Sequence, residues 1–114
     1  MKMEKLLDKN EKEDAEEVFD GISDIAECTK AGKKPPRSKG YRILINGKPF
    51  VSKKARITGR EVLILGGKTP PENFTLRVKL AGHKPERVGL DEVVDLRHPG
   101  VEKFKSLPKD QTEG

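Results

Sequence analysis

Pro70-Pro71-Glu72-Asn73-Phe74-Thr75-Leu76-Arg77-Val78-Lys79-Leu80-Ala81-Gly82-His83-Lys84 is the stretch that decides the fold. From Phe74 to Leu80 apolar and polar side chains alternate, the period of a strand with one face in a core and the other in water. Phe74, Leu76, Val78 and Leu80 take the core side, and Thr75, Arg77 and Lys79 the outside. Pro70-Pro71 stops whatever precedes the strand, and Ala81-Gly82-His83-Lys84 has the composition of a turn after it.

Toward the N-terminus, Tyr41, Ile43 and Ile45 alternate with Arg42 and Leu44 and run into Asn46-Gly47. Both turn residues tolerate positive φ, so this is a strong hairpin signal. The returning strand is expected from about Pro49 to Ile57. Thr58 then caps a short helix, Gly59 to Leu65, with Glu61 at capping-box spacing and Gly66-Gly67 as the stop. Toward the C-terminus the pattern predicts a short strand over Glu86–Leu90, a brief helix or turn over Asp91–Asp95, and a final strand over Val101–Leu107. Pro108 to Gly114 offers nothing to a core and is expected to be a free tail.

The first 32 residues differ in character. They carry a net charge of −5 and the remainder +10, within an overall +5 and a pI near 9.4. Val18, Phe19, Ile22 and Ile25 recur at helical spacing, so an amphipathic helix is expected over about 11–31, capped by Asn10 with Glu13 and ended by Gly32. Gly21 inside it costs about 1 kcal/mol relative to alanine, so the stripe should dock on a partner or on a second copy. Residues 33–40, with two prolines, a glycine and four basic residues, read as a linker. The expected organisation is therefore an acidic segment 1–32, a linker 33–40, a domain 41–107 and a tail 108–114.

Composition narrows the function. Cys28 is the only cysteine, so no intramolecular disulfide forms, and a reducing, cytoplasmic setting is expected. No run approaches the length of a membrane span. His83 and His98 lie in expected turns without partners at metal-ligand spacing, so neither a metal nor a bound cofactor is expected. No catalytic triad, phosphate loop or paired carboxylate stands out, and an enzyme is not expected. Arg42, Arg77, Lys79, Lys103 and Lys105 fall on outward positions of the sheet and form a candidate basic face.

Hairpin, helix, strand, short strand, final strand and polar tail follow one another in the order of the α+β fold called the β-grasp. Gly67, Pro70-Pro71, the alternating strand 74–80 and Ala81-Gly82 resemble the landmarks of the ubiquitin-like family. Thr58-Gly59-Arg60-Glu61, Gly89-Leu90-Asp91-Glu92-Val93-Val94-Asp95-Leu96 and the ending Asp110-Gln111-Thr112-Glu113-Gly114 resemble the bacterial multiubiquitin-domain family over residues 41–114. That resemblance implies a protein modifier. Its partners would be an activating enzyme that uses ATP, a conjugating enzyme, a processing peptidase and target proteins. Gly114 would be the acyl donor, and Gln111, Thr112, Glu113 and Gly114 the tail that the activating enzyme reads. Glu113 stands where ubiquitin-like chains more often have glycine, only one domain is present, and the acidic prefix has no counterpart in ubiquitin.

Other readings remain open in the sequence. A β-grasp sulfur carrier would use the same tail as a thiocarboxylate, although such carriers usually end in Gly-Gly. A basic nucleic-acid-binding or protein-binding module would use the cationic face. With only four Phe and one Tyr, none clearly set among those cations, the stacking platform expected for single strands is missing. An acidic protein partner therefore fits the face better than nucleic acid.

Overall fold

A computed structural model describes residues 17–109. Strand β1 (Phe19–Asp24) leads into helix α1 (Ile25–Lys30), followed by β2 (Ser38–Ile45), β3 (Lys48–Ser52), β4 (Arg56–Thr58) and helix α2 (Gly59–Leu65). A 3-10 turn (Pro71–Asn73) precedes β5 (Phe74–Leu80), β6 (Glu86–Val88), β7 (Val93–Asp95) and β8 (Val101–Pro108). The main sheet runs β1-β2-β8-β5-β6, with β3 paired to β2; β4 and β7 form a separate two-stranded ladder. The result is a mixed α+β domain whose sheet order fits a β-grasp.

The hairpin forms where the alternation and Asn46-Gly47 place it. Both residues have positive φ (53° and 83°), and Tyr41 to Ile45 pair antiparallel with Ser52 to Lys48. Asn46 does more than turn the chain. Its amide nitrogen donates to Ser106 Oγ at 2.9 Å, and its Oδ1 accepts from the Ser106 backbone N–H at 2.9 Å. The hairpin tip is thereby tied to β8, the strand that β2 meets in parallel at Ile45 and Phe104.

Inward side chains of the sheet meet α2. Tyr41, Ile43, Ile45, Val62, Leu63, Leu76, Leu96 and Phe104 are almost wholly buried, each fully buried apolar side chain contributing about 1.5–3 kcal/mol. Helix α2 begins with the expected capping box. The Thr58 hydroxyl accepts from Glu61 N–H, and the Glu61 carboxylate accepts from Thr58 N–H at 2.9 Å. Gly66 caps the C-terminus and Gly67 follows at φ 76°.

Three expectations change. Residues 19–24 form a strand rather than part of a helix, and only 25–30 are helical; residues 11–16 of the expected helix lie outside the described residues. Tertiary pairing overrides the local period here. The β2 backbone beyond the hairpin has a free edge at Ser38 to Arg42, and β1 fills it in parallel register, Ile22 opposite Gly40 and Asp24 opposite Arg42. Accordingly Ile25 separates from its supposed stripe and enters the core at 1% exposure, while Val18, Phe19 and Ile22 stay 44–51% exposed. The expected linker is partly structured too, since Ser38-Lys39-Gly40 belong to β2. Finally, Val93–Asp95 is a strand that pairs with Arg56–Thr58, so the returning strand after the hairpin divides in two.

Candidate functional site

Two regions bear the residues singled out in the sequence. The first is the end of β8. Between Val101 and Leu107 it is matched along β5, and Phe74 faces Pro108 at the last pair. The Thr75 hydroxyl donates to the Leu107 carbonyl at 3.4 Å. Pro108 and Lys109 leave beside an open cleft of about 430 Å³ shared with Thr69, Asn73 and Phe74. Gln111, Thr112, Glu113 and Gly114 lie outside the described residues.

The second region is the outer face of the sheet. Antiparallel register puts Arg77 opposite both Lys105 and Arg87, and Lys79 opposite Lys103. These are directly facing cations, an arrangement that costs a few tenths of a kcal/mol to about 1 kcal/mol per pair. Arg77, Arg87, Lys103 and Lys105 are exposed, and among the described residues none of the four has an ion-pair partner. Lys79 is partly withdrawn, its Nζ donating to the Leu80 carbonyl at 2.9 Å and lying 3.6 Å from Glu102. Arg42 is separate from this group, since its guanidinium lies 3.6 Å from Asp24 of β1. The sequence missed Arg87, whose three-residue strand is too short to show its alternation.

The motifs that suggested a family meet one another. Gly59 N–H donates to the Glu92 carbonyl at 3.0 Å, and Arg60 N–H to the Leu90 carbonyl at 2.9 Å. The Glu92 carboxylate accepts from Gly89 N–H at 2.9 Å. The N-terminus of α2 is thus capped from outside by the 89–92 turn. The Arg60 guanidinium reaches Glu72 at 2.7 Å and Asp91 at 3.4 Å, and those hydrogen bonds, Glu72 first, hold it more firmly protonated than usual. Glu72 is held below the ordinary carboxylate value by its own backbone N–H and then by Arg60. Glu61 is lowered by the Lys54 ammonium, 2.6 Å away, and then by the Thr58 backbone.

Burial, with Asp24 and Glu27 nearby, pushes the Cys28 thiol up against a weaker opposing effect from Lys33. It stays protonated at neutral pH, which suits a packing residue and not a nucleophile. Among the described residues no group of three or more His, Cys, Asp or Glu side chains could hold a metal ion, and no helix is long and apolar enough to cross a membrane.

A family model described as Multiubiquitin matches residues 41–109, well over half of the chain. No curated protein and no solved structure matches. The match begins inside β2, so β1, α1 and the connection to β2 precede it.

Proposed function

The chain belongs to the multiubiquitin family, and from that premise we propose that it is a ubiquitin-like protein modifier whose Gly114 is the acyl donor. The observation that carries this reading is the placement of β8. The family match runs to residue 109, and β8 is paired into the sheet up to Pro108 opposite Phe74. Residues 110–114 therefore follow directly from a strand fixed between β2 and β5. Five residues reach about 17 Å when extended, enough for the carboxylate of Gly114 to enter an active site recessed in an enzyme while the folded body stays outside.

A carboxylate is a poor acyl donor because its charge repels nucleophiles and its leaving group would be oxide. Activation solves both problems. A Gly114 carboxylate oxygen attacks the α-phosphorus of ATP and pyrophosphate leaves, which yields an acyl adenylate. A nucleophilic side chain of the activating enzyme then displaces AMP, and an amine of the target displaces that side chain in turn. The chain supplies the carboxylate and a glycine without a Cβ, whereas ATP and the catalytic groups belong to the activating and conjugating enzymes. A processing peptidase would expose or release the same carboxylate.

The test is intact mass spectrometry after incubation with ATP and the cognate activating enzyme. Deleting Gly114 should abolish the ATP-dependent adduct and leave the thermal midpoint unchanged. Adducts that persist in the deletion would show that the donor lies elsewhere.

A further inference from the structure

A cleft of about 210 Å³ opens at the edge of the main sheet, between the inner side of β5 and β6 and the strand β7. Val78, Val88 and Val101 line its closed side, only 7%, 5% and 2% exposed, and Val93 lines its open side at 50%. Glu86 is the residue out of pattern. It is the register partner of Val78, so it stands on the core-facing side of β6, two residues before buried Val88, where a half-buried strand calls for an apolar side chain. A local rule broken in the wall of a cleft points to function.

Glu92 and Asp95 line the same cleft, with His98. One Glu92 oxygen accepts from Gly89 N–H and one Asp95 oxygen from Arg97 N–H, at 2.9 Å each. The second oxygen of each is left unused, and Glu86 has no hydrogen-bond or ion-pair partner among the described residues. Two arginines stand near. Arg56 lies opposite Asp95 but forms no ion pair with it, and the pairing of Arg87 with Arg77 sets the Arg87 side chain on the outer side of the sheet. In a chain of net charge +5, three carboxylates around a valine-lined cleft thus remain without a cation.

We infer that this cleft receives the side chain of an arginine presented by a partner protein, its methylenes against the valines and its guanidinium against the carboxylates. The volume falls below the range of about 300–1,000 Å³ that encloses a small-molecule ligand, so it suits one side chain. An anion or a wholly apolar group would leave Glu86, Glu92 and Asp95 unsatisfied. A metal ion needs ligands that converge, and among the described residues no three His, Cys, Asp or Glu side chains do so. Arginine fits both parts, because its aliphatic stem packs on apolar surface while its fan of five donors reaches more than one carboxylate, which the point charge of lysine does less well. A second copy brings the same net positive charge and is repelled. The cleft lies at the Val101 end of β8, about 23 Å from Pro108 at about 3.3 Å per residue. Binding is therefore the same with or without Gly114, and the conjugation reading stands or falls separately.

The isotope-labelled full chain is titrated by amide shifts in salt of about 0.15 M, where surface charges are screened beyond about 8 Å. The probes are capped peptides of two glycines, one variable residue and two glycines, the variable residue being arginine, lysine or citrulline, the last a neutral analogue of nearly the same shape. The arginine peptide should shift the amides of Val78, Val88, Val93 and Val94. It should bind at least about fivefold more tightly than the citrulline peptide, the ratio expected from one or two exposed ion pairs, and more tightly than the lysine peptide. Glu86→Gln should weaken arginine binding and leave citrulline binding and the thermal midpoint unchanged, a combination that a merely structural role for Glu86 would not produce. Asp20→Asn, which removes an exposed carboxylate from β1, should leave arginine binding unchanged. Equal affinity for arginine and citrulline, tighter binding of lysine, no effect of Glu86→Gln, an equal effect of Asp20→Asn, shifts confined to residues 17–24, or no shift at millimolar peptide would each overturn the inference.

Discussion

Gly59→Ala tests the contact on which α2 depends. Gly59 does not have a positive φ, so alanine is conformationally acceptable there, and helix propensity alone would favour it by up to about 1 kcal/mol. Space forbids it. The added Cβ would fall well inside van der Waals contact distance of the Gly89 carbonyl oxygen, 3.1 Å from its carbon and 3.2 Å from Val88 Cγ1. Since the obstacle is backbone, the 89–92 turn has to retreat from the helix. That movement lengthens both the Gly59–Glu92 bond of 3.0 Å and the Arg60–Leu90 bond of 2.9 Å. Two backbone hydrogen bonds at about 1 kcal/mol each, and overpacking against Val88 at about 1–3 kcal/mol, outweigh the propensity gain. The net loss is about 2–4 kcal/mol. For a domain of this size that lowers the thermal midpoint by roughly 10–25 °C, measured by circular dichroism or calorimetry. Gly47→Ala is the control, having nothing within 4 Å of its Cβ but a φ of +83°, and it should cost only about 1–2 kcal/mol. A Gly59→Ala midpoint within about 2 °C of the parent would refute the reasoning, since the turn would then yield at no cost.

Thr58→Ala removes the side-chain half of the α2 capping box and should destabilise the domain by about 1 kcal/mol, read from urea unfolding. Asn46→Ala should cost about 2–3 kcal/mol, combining a left-handed φ with the loss of two bonds to Ser106, while Asn46→Gly should recover the conformational part; equal losses in both would show that the turn conformation is immaterial. The depressed Glu61 and Glu72 carboxyls contribute stability that is present above their ordinary value of 4.5 and lost as the pH falls through their lower folded values. Thermal midpoints should therefore decline less steeply below about pH 4.5 in Glu61→Gln and Glu72→Gln than in the parent. If the activating enzyme reads the tail, Glu113→Lys should slow ATP–pyrophosphate exchange more than Glu113→Gly, because lysine repels a cationic tail site whereas glycine only loses a contact; equal rates for all three tails would show that Glu113 is not read.

The elements whose cause is local were legible one by one. Asn46-Gly47 specifies its own turn, Thr58 with Glu61 specifies the start of α2, and the alternation from Phe74 to Leu80 specifies both a strand and its buried face. Spacing alone also placed Arg77, Lys103 and Lys105 on outward positions, and all three side chains are exposed. The proposed role of the tail residues 111–114 stands apart, since it rests on resemblance and chemistry and the residues lie outside those described.

The segment 19–24 shows where local pattern ends. Val18, Phe19, Ile22 and Ile25 satisfy a helical period, but an apolar period states only that these side chains seek cover, and the open edge of β2 at Ser38 to Arg42 offered backbone hydrogen bonds that an isolated helix on this sequence could not match in value. The same holds for Val93–Asp95, whose strand exists because Arg56–Thr58 lies alongside it. Arg87 joined the cationic ladder through the register of β5 with β6, and Arg42 left it because Asp24 arrived on β1. Sequence determined which groups had to be buried, turned or solvated, since those preferences belong to single residues and their neighbours. Tertiary structure alone decided which strand edges were filled and which charges came to face each other, since both depend on residues far apart in the chain.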